Sequence, residues 1–169
     1  MKSKKLFNIL AAVAVLSATL ACAGCDTLDD DRVPVTPVQI SFNTVADWNF
    51  YGVAAALDHR RFIREQRIPS NFPYTAMTYT GFGGVLLTCD VLGTPMAFDL
   101  CCPVERQQSV RVHVNPATNL AECDKCGSAY DVFSLPGTPV SGPASRDGYG
   151  LRRYRVSAGQ GAAYMMVTN

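Results

Sequence analysis

Four cysteines in the second half of the chain have the spacing of a metal or cluster site. Cys101 and Cys102 are adjacent, twenty residues follow, and Cys123 and Cys126 then form a Cys-x-x-Cys pair. A proline follows the first pair and a glycine follows the second, which favours a loop at each position. Thiolates on two loops that converge in space bind zinc or an iron–sulfur cluster. The spacing therefore predicts a thiol site between two loop tips.

Two details limit how the cysteines combine. Adjacent residues at the end of a strand point to opposite faces, so Cys101 and Cys102 reach one site only if the loop bends between them. Cys89 lies in an apolar run and is interpreted as a small buried hydrophobic residue. A thioredoxin-type use of the Cys-x-x-Cys pair would need a helix N-terminus in a βαβ unit, and the sequence predicts neither.

The rest of the sequence has no competing catalytic group. Its two histidines, His59 and His113, lie outside the cysteine segments, and the run around His113 is typical of a solvent-facing strand position. Neither the histidines nor the isolated acids near turns form a Ser-His-acid or metal–histidine pattern. We therefore predict that the protein is not an enzyme.

The elements that position the cysteines are predicted to be strands. From Val38 onward, short apolar runs are broken by Gly, Pro or Asn about every ten residues, a pattern typical of an all-β domain. Strands are predicted at residues 38–42, 75–80, 85–89, 95–99, 110–114, 129–133, 151–156 and 162–168.

Four other segments have weaker patterns. Aromatic residues favour a strand over a helical turn at 48–57, and the arginine-rich segment 60–67 is predicted to be a solvated loop. The glycine-rich run 81–84 is predicted to be a hairpin turn between strands 75–80 and 85–89. Residues 135–143 contain three prolines and two glycines, which indicates a rigid surface loop.

Residues 1–24 are predicted to be a signal peptide. Three lysines precede an uncharged apolar run that is too short and wrongly flanked for a stable membrane span. Its removal takes away three basic residues and no acidic ones, so the remaining 145 residues carry 12 basic and 14 acidic side chains. The slight excess of acidic over basic side chains excludes a basic surface that would bind nucleic acid. A length of 145 residues suits a single domain.

Cys25 is predicted to be lipidated. It follows two small residues and precedes polar ones, which is similar to a bacterial lipoprotein cleavage site, with Cys22 as the alternative. Residues 25–37 contain four aspartates and then two prolines, and are predicted to form a solvated tether to a folded domain at 38–169. The acidic run is similar to the surface-export signal of Bacteroidota lipoproteins. We expect attachment to the outer membrane, on its periplasmic or cell-surface face, and an envelope protein as partner.

The region from about residue 83 to residue 156 resembles the Rieske iron–sulfur domain. The resemblance implies an antiparallel sandwich or barrel with a small, loop-built cluster-binding subdomain and a proline loop that covers the cluster. The matching segments are GVLL at 84–87, MAFD at 96–99, Cys102-Pro103, CDKCGS at 123–128, YD at 130–131, and PGTP at 136–139 with GPA at 142–144.

The ligand positions differ from that family. Rieske domains bind one iron through two cysteines and the other through two histidines. The matching cysteine positions here are Cys102 and Cys123, whereas the histidine positions are Val104 and Cys126. An unmodified Rieske centre is therefore excluded.

What the resemblance implies is a changed ligand set. Cys102, Cys123 and Cys126 would bind a [2Fe–2S] cluster or another metal such as zinc, with Cys101 or Glu105 as the fourth ligand. Ser128 matches a serine that hydrogen-bonds the cluster in that family, and Tyr130 is a weaker match to a tyrosine with the same role.

Two functions remain open at this point. One is electron transfer through an atypical [2Fe–2S] centre. The other is a domain without a cluster, stapled by a disulfide such as Cys102–Cys126 or Cys102–Cys123, with a binding or accessory role at the envelope.

Overall fold

The computed structural model describes residues 28–159, 161 and 164–169. The predicted signal peptide at 1–24 and the predicted lipidation site Cys25, with its alternative Cys22, lie outside these residues. The described part is all-β, as predicted, and contains two antiparallel sheets. The elements of the larger sheet are β1 (Val38–Phe42), β2 (His59–Phe62), β3 (Tyr79–Thr80), β4 (Val85–Cys89), β5 (Pro95–Asp99), β10 (Arg153–Ala158) and β11 (Met165–Thr168).

The larger sheet is nearly closed, with the strand order β2-β4-β5-β10-β11-β1-β3. The bounds of β1, β4 and β5 agree with the prediction. β4 is buried along its whole length because it lies between two cores: Val85 and Leu87 face one, and Leu86 faces the other. Burial on both faces explains why this strand is a continuous apolar run instead of an alternating one.

The smaller sheet carries the second cysteine pair. Its strands are β6 (His113–Asn115), β7 (Leu120–Glu122), β8 (Ala129–Asp131) and β9 (Thr138–Ser141), which pair in that order. The connection between β7 and β8 contains Cys123 and Cys126. The prediction of a rigid surface loop at 135–143 is wrong for β9, which pairs with β8 through a register shift near Ala129.

In the described residues, two short α-helices follow strands, and a single 3-10 turn (Arg64–Gln66) follows β2. Helix α1 (Val45–Tyr51) follows β1, and helix α2 (Gly142–Asp147) follows β9. The prediction of a strand at 48–57 is wrong, because Thr44 and Asp47 form a capping box that starts α1: the Thr44 hydroxyl accepts a hydrogen bond from the Asp47 N–H at 3.0 Å, and the Asp47 carboxylate accepts one from the Thr44 N–H. In the described residues no helix is long and apolar enough to cross a membrane.

Two further expectations are corrected by strand pairing. The segment 60–67 is not a loop throughout, since β2 pairs with β4 and Phe62 is fully buried. The glycine-rich run 81–84 does not form a hairpin, because β3 pairs with β1 while β4 lies between β2 and β5. The N–H groups of Phe82 and Gly83 instead donate hydrogen bonds to the carboxylate of Asp99 at 2.9 Å.

The described residues form two hydrophobic cores. The larger sheet encloses aromatic side chains, in which Phe42 contacts Trp48, Phe62 and Phe72 edge to face at centroid distances of 5.0, 5.8 and 5.9 Å. The second core lies between β4–β5 and the smaller sheet. Its buried members include Leu86, Phe98, Leu100, Cys102, Val112, Ala121, Cys123, Tyr130, Val132 and Leu151.

Residues 28–33, here called the N-terminal strap, pack on the domain. Asp29 forms a bridge with Tyr149, and Val33 is fully buried. Arg152 donates hydrogen bonds to the carbonyls of Asp31 and Val33 at 2.9 and 2.7 Å. The expectation of a solvated tether is therefore wrong for these residues.

Candidate metal centre

Three cysteines meet between the two cysteine loops. The Sγ atoms of Cys102, Cys123 and Cys126 lie within 4.8 Å of one another, and the Cys102 and Cys126 sulfurs are 3.6 Å apart. Cys102 and Cys123 are buried, whereas Cys126 is half-buried. The five cysteines of the described residues are all free thiols. Three convergent thiols of this kind could bind a metal ion.

The first cysteine loop leaves the larger sheet at the end of β5. Cys101 forms a bridge with Arg111, and the Cys102 N–H donates to the Val110 carbonyl at 3.0 Å. The Arg106 N–H then donates to the Cys102 carbonyl at 2.9 Å, which closes a turn around Pro103. These backbone bonds fix the Cys102 side chain toward the smaller sheet.

The second cysteine loop is a tight turn between β7 and β8. The Gly127 N–H donates to the Cys123 carbonyl, and the Cys123 N–H donates to the Ser128 carbonyl, both at 2.9 Å. Gly127 has a φ of +69°, a left-handed conformation that favours glycine. The Cys-x-x-Cys-Gly spacing therefore suits a turn that presents both sulfurs on one side.

Two hydroxyl groups contact the sulfurs. The Cys126 thiol donates to the Ser128 hydroxyl at 3.2 Å, and that hydroxyl also accepts a hydrogen bond from the Ala144 N–H of α2 at 3.1 Å. The Tyr130 hydroxyl lies 3.7 Å from the Cys102 sulfur. Both residues singled out from the sequence as hydrogen-bond partners are thus adjacent to the three thiols.

The three thiols differ in acidity. Burial raises the pKa of Cys102 to about 12 and also raises that of Cys123. Burial acts in the same direction on Cys126, but hydrogen bonds with Ser128 and with the other two thiols outweigh it, so the pKa of Cys126 is lowered. The thiolate of the most exposed cysteine is therefore the one that forms most readily.

The two residues predicted as alternative fourth ligands lie apart from the three sulfurs. The Cys101 thiol points away and donates to the Gln107 carbonyl at 3.3 Å. Glu105 forms an ion pair with Lys125 at 2.6 Å. Val104 packs against the second core.

The spacing of the sulfurs fits a single metal ion. Two thiolates at about 2.3 Å from a tetrahedral zinc ion stand about 3.8 Å apart, close to the 3.6 Å between Cys102 and Cys126. Cysteines that bind different irons of a [2Fe–2S] cluster are separated more widely. The three sulfurs thus fit three of the four ligand positions of a thiophilic ion. A [2Fe–2S] cluster would require the two cysteine loops to move apart.

A buried carboxylate beside the first cysteine loop was not identified from the sequence. Asp99 is fully buried, and it accepts hydrogen bonds from the Cys101 N–H at 2.7 Å and from the Tyr154 hydroxyl at 2.6 Å, in addition to Phe82 and Gly83. The sequence does carry a signal for this residue: Asp99 ends a predicted apolar strand and comes two residues before Cys101, where the first cysteine loop begins. Its position indicates that Asp99 orients the entry to that loop.

Comparison of the chain with protein-family models, curated proteins and solved structures finds no match. The class of protein is therefore defined by the described fold and site: an all-β protein with two antiparallel sheets and three adjacent thiols between two loops.

Proposed function

We propose that this chain is an exported, lipid-anchored domain of Rieske type that holds a cysteine-ligated metal centre. The ligands are Cys102, Cys123 and Cys126, and an iron-based centre would carry single electrons between envelope partners. The observation that carries the proposal is the convergence of these three sulfurs from two separate loops to within 4.8 Å of one another.

The burial of the thiols supports a bound cation. Without a metal, burial keeps Cys102 and Cys123 protonated. A metal ion supplies the positive charge that stabilises buried thiolates, and its binding releases their protons. The Ser128 hydroxyl and the Tyr130 hydroxyl would then act as hydrogen-bond donors to the sulfurs and tune the centre.

The identity of the metal determines the role. A [2Fe–2S] cluster with thiolate ligands would have a potential near the roughly −400 mV of plant-type ferredoxins. A zinc ion would have no redox role and would brace the two loops. The fourth ligand would be Cys101 after rotation away from Gln107, Glu105 after release of Lys125, or a group from solution.

A disulfide-stapled domain is the second candidate. The 3.6 Å between the Cys102 and Cys126 sulfurs is short enough that a small movement would join them. Disulfides persist outside the cytoplasm, where the chain is expected to reside. A domain with such a bridge would have no metal-dependent function, and its role would be binding or accessory at the envelope.

The deciding experiment is anaerobic purification of the full-length protein in detergent. One sample is used for metal analysis, acid-labile sulfide, the visible spectrum and a thiol count. We expect one metal centre per chain: iron with sulfide and charge-transfer bands supports electron transfer, and colourless zinc supports a structural site. A metal-free protein with a disulfide would overturn the metal proposal in favour of the stapled domain.

Two matched serine variants test the ligand assignment. Cys126→Ser removes a proposed ligand, whereas Cys89→Ser alters a buried thiol that belongs to the aromatic core and to no proposed ligand set. We expect Cys126→Ser to lose most of the bound metal and Cys89→Ser to keep it. In the stapled alternative, Cys126→Ser would leave metal content unchanged and lower stability by about 2–4 kcal/mol.

A further inference from the structure

The N-terminal strap fixes how a lipid-anchored domain would sit on its membrane. The Asp29 N–H donates to the Gly148 carbonyl, and the Gly150 N–H donates to the Asp29 carbonyl, both at 2.9 Å. Leu28 packs so closely on Gly150 that an added Cβ there would lie 2.8 Å from its side chain. The chain is therefore held to the domain from Leu28 onward.

The reach from the anchor to the domain is short. Two residues, Asp26 and Thr27, separate the proposed lipidated Cys25 from Leu28. The three steps from one Cα to the next span at most about 11 Å in any conformation. Leu28 lines a cavity of about 350 Å³ together with Pro139, Ser145, Arg146 and Gly148, and this surface is here called the Leu28 face. Any lipid on Cys25 would place the Leu28 face within that distance of the bilayer.

The cysteine loops belong to the same end of the molecule. The Arg32 guanidinium donates to the Pro103 carbonyl at 3.3 Å and lies 3.8 Å from the Tyr149 ring. Helix α2, which carries Ser145 and Arg146 of the Leu28 face, donates from Ala144 to Ser128 in the second cysteine loop.

The opposite end of the molecule carries the single tryptophan. Strand β10 begins at Arg153, next to the residue that binds the strap, and ends at Ala158, which is in register with Met165 and hence with Phe42. Five steps along a strand cover about 17 Å. Trp48 packs on Phe42 at a centroid distance of 5.0 Å, so it lies far from the Leu28 face.

We propose that the Leu28 face is held against the bilayer surface, with the cysteine loops at the membrane side of the domain and Trp48 at the distal end. This inference rests on the lipid anchor of the proposed function. Its consequence is that a partner of the cysteine site must reside in or on the same membrane.

Fluorescence quenching by brominated lipid tests this orientation. The full-length lipidated protein is reconstituted into phosphatidylcholine vesicles whose acyl chains carry bromine near the headgroups, which quenches indoles close to the surface. The native protein reports on Trp48 alone, and Ser145→Trp adds an exposed indole on the Leu28 face. Arg146→Trp is a second reporter in case the first variant folds poorly.

We expect loss of the added fluorescence in both reporter variants and no loss in the native protein. A flexible Gly/Ser segment of about a dozen residues inserted between Thr27 and Leu28 extends the mean reach to about 20 Å and should abolish the quenching. Quenching of Trp48 equal to that of the reporters, or no quenching of either, would overturn the orientation.

Mass spectrometry of the N-terminal peptide shows whether a negative result refutes only the orientation or also the lipid anchor. Acylated Cys25 without quenching of the reporters refutes the orientation and leaves the anchor intact. Unmodified Cys25 refutes the anchor and the orientation together. The metal content of the same sample reports independently on the cysteine centre.

Discussion

A single buried carboxylate joins the larger sheet to the first cysteine loop. Asp99 accepts hydrogen bonds from Gly83, Cys101 and Tyr154, and an added Cβ at Gly83 would lie 2.5 Å from the Cys101 nitrogen. Burial raises the pKa of Asp99, and its hydrogen bonds act in the opposite direction. The glycine-rich run thus binds an anion through its backbone, as such runs do for phosphate, but the anion belongs to the chain itself.

Substitution of Asp99 tests this role. In Asp99→Asn, an amide NH₂ group replaces one of the two carboxylate oxygens and cannot accept the hydrogen bonds that this oxygen accepts. We therefore expect the free energy of unfolding to fall by about 2–4 kcal/mol. Tyr154→Phe removes one donor and should cost about 1–2 kcal/mol. Urea unfolding of both variants measures the difference. Equal, small losses would show that the carboxylate does not organise the loop.

At the scale of elements, the sequence predicted strands well where burial set the pattern. β1, β4 and β5 have the predicted bounds, since alternation or a continuous apolar run reflects contact with a core. Helix α1 was missed because its aromatic residues suggested a strand, although Thr44 and Asp47 carry a capping signal in the sequence. The partner of β3 is β1, about forty residues earlier in the chain, and local patterns do not specify such a pairing.

The packing of helix α2 on the second cysteine loop gives a prediction with an internal control. Gly142 and Gly148 both have left-handed φ values, +75° and +72°, so alanine costs about 1–2 kcal/mol at either position. An added Cβ at Gly142 would also lie 2.7 Å from both the Gly127 oxygen and the Ser128 Cα, whereas Gly148 has nothing within 4 Å. We expect Gly142→Ala to be the more destabilising variant and to lower metal affinity, and Gly148→Ala to keep metal affinity. Unfolding curves and metal titrations distinguish them, and equal behaviour would refute the proposed contact.

At the scale of the whole molecule, cysteine spacing identified three thiols that the fold brings together, but it did not identify what supports them. The sequence indicates that Cys101 and Cys102 point to opposite faces, but it does not say which of them faces the site. The backbone direction at the end of β5 turns the Cys101 sulfur away. The strap was predicted to be solvated because it belongs to the segment 25–37, in which four aspartates dominate the composition. Its contacts with Tyr149 and Arg152 lie more than 110 residues away in sequence, beyond the range of any local pattern.

The N-terminal strap should stabilise the whole domain. The contribution of its ion pair can be measured separately from that of its buried side chain. The ion pair between Arg152 and Asp31 leaves the Asp31 side chain 85% exposed, and exposed pairs are worth about 0–1 kcal/mol. Burial of Val33 is worth about 1.5–3 kcal/mol, and the backbone bonds add to it. A fragment of residues 34–169 should therefore unfold at a clearly lower urea concentration than one of residues 28–169, while Asp31→Asn in the longer fragment should change the midpoint little. If Asp31→Asn reproduces the loss seen on truncation, electrostatic attraction holds the strap, and added salt should then release it.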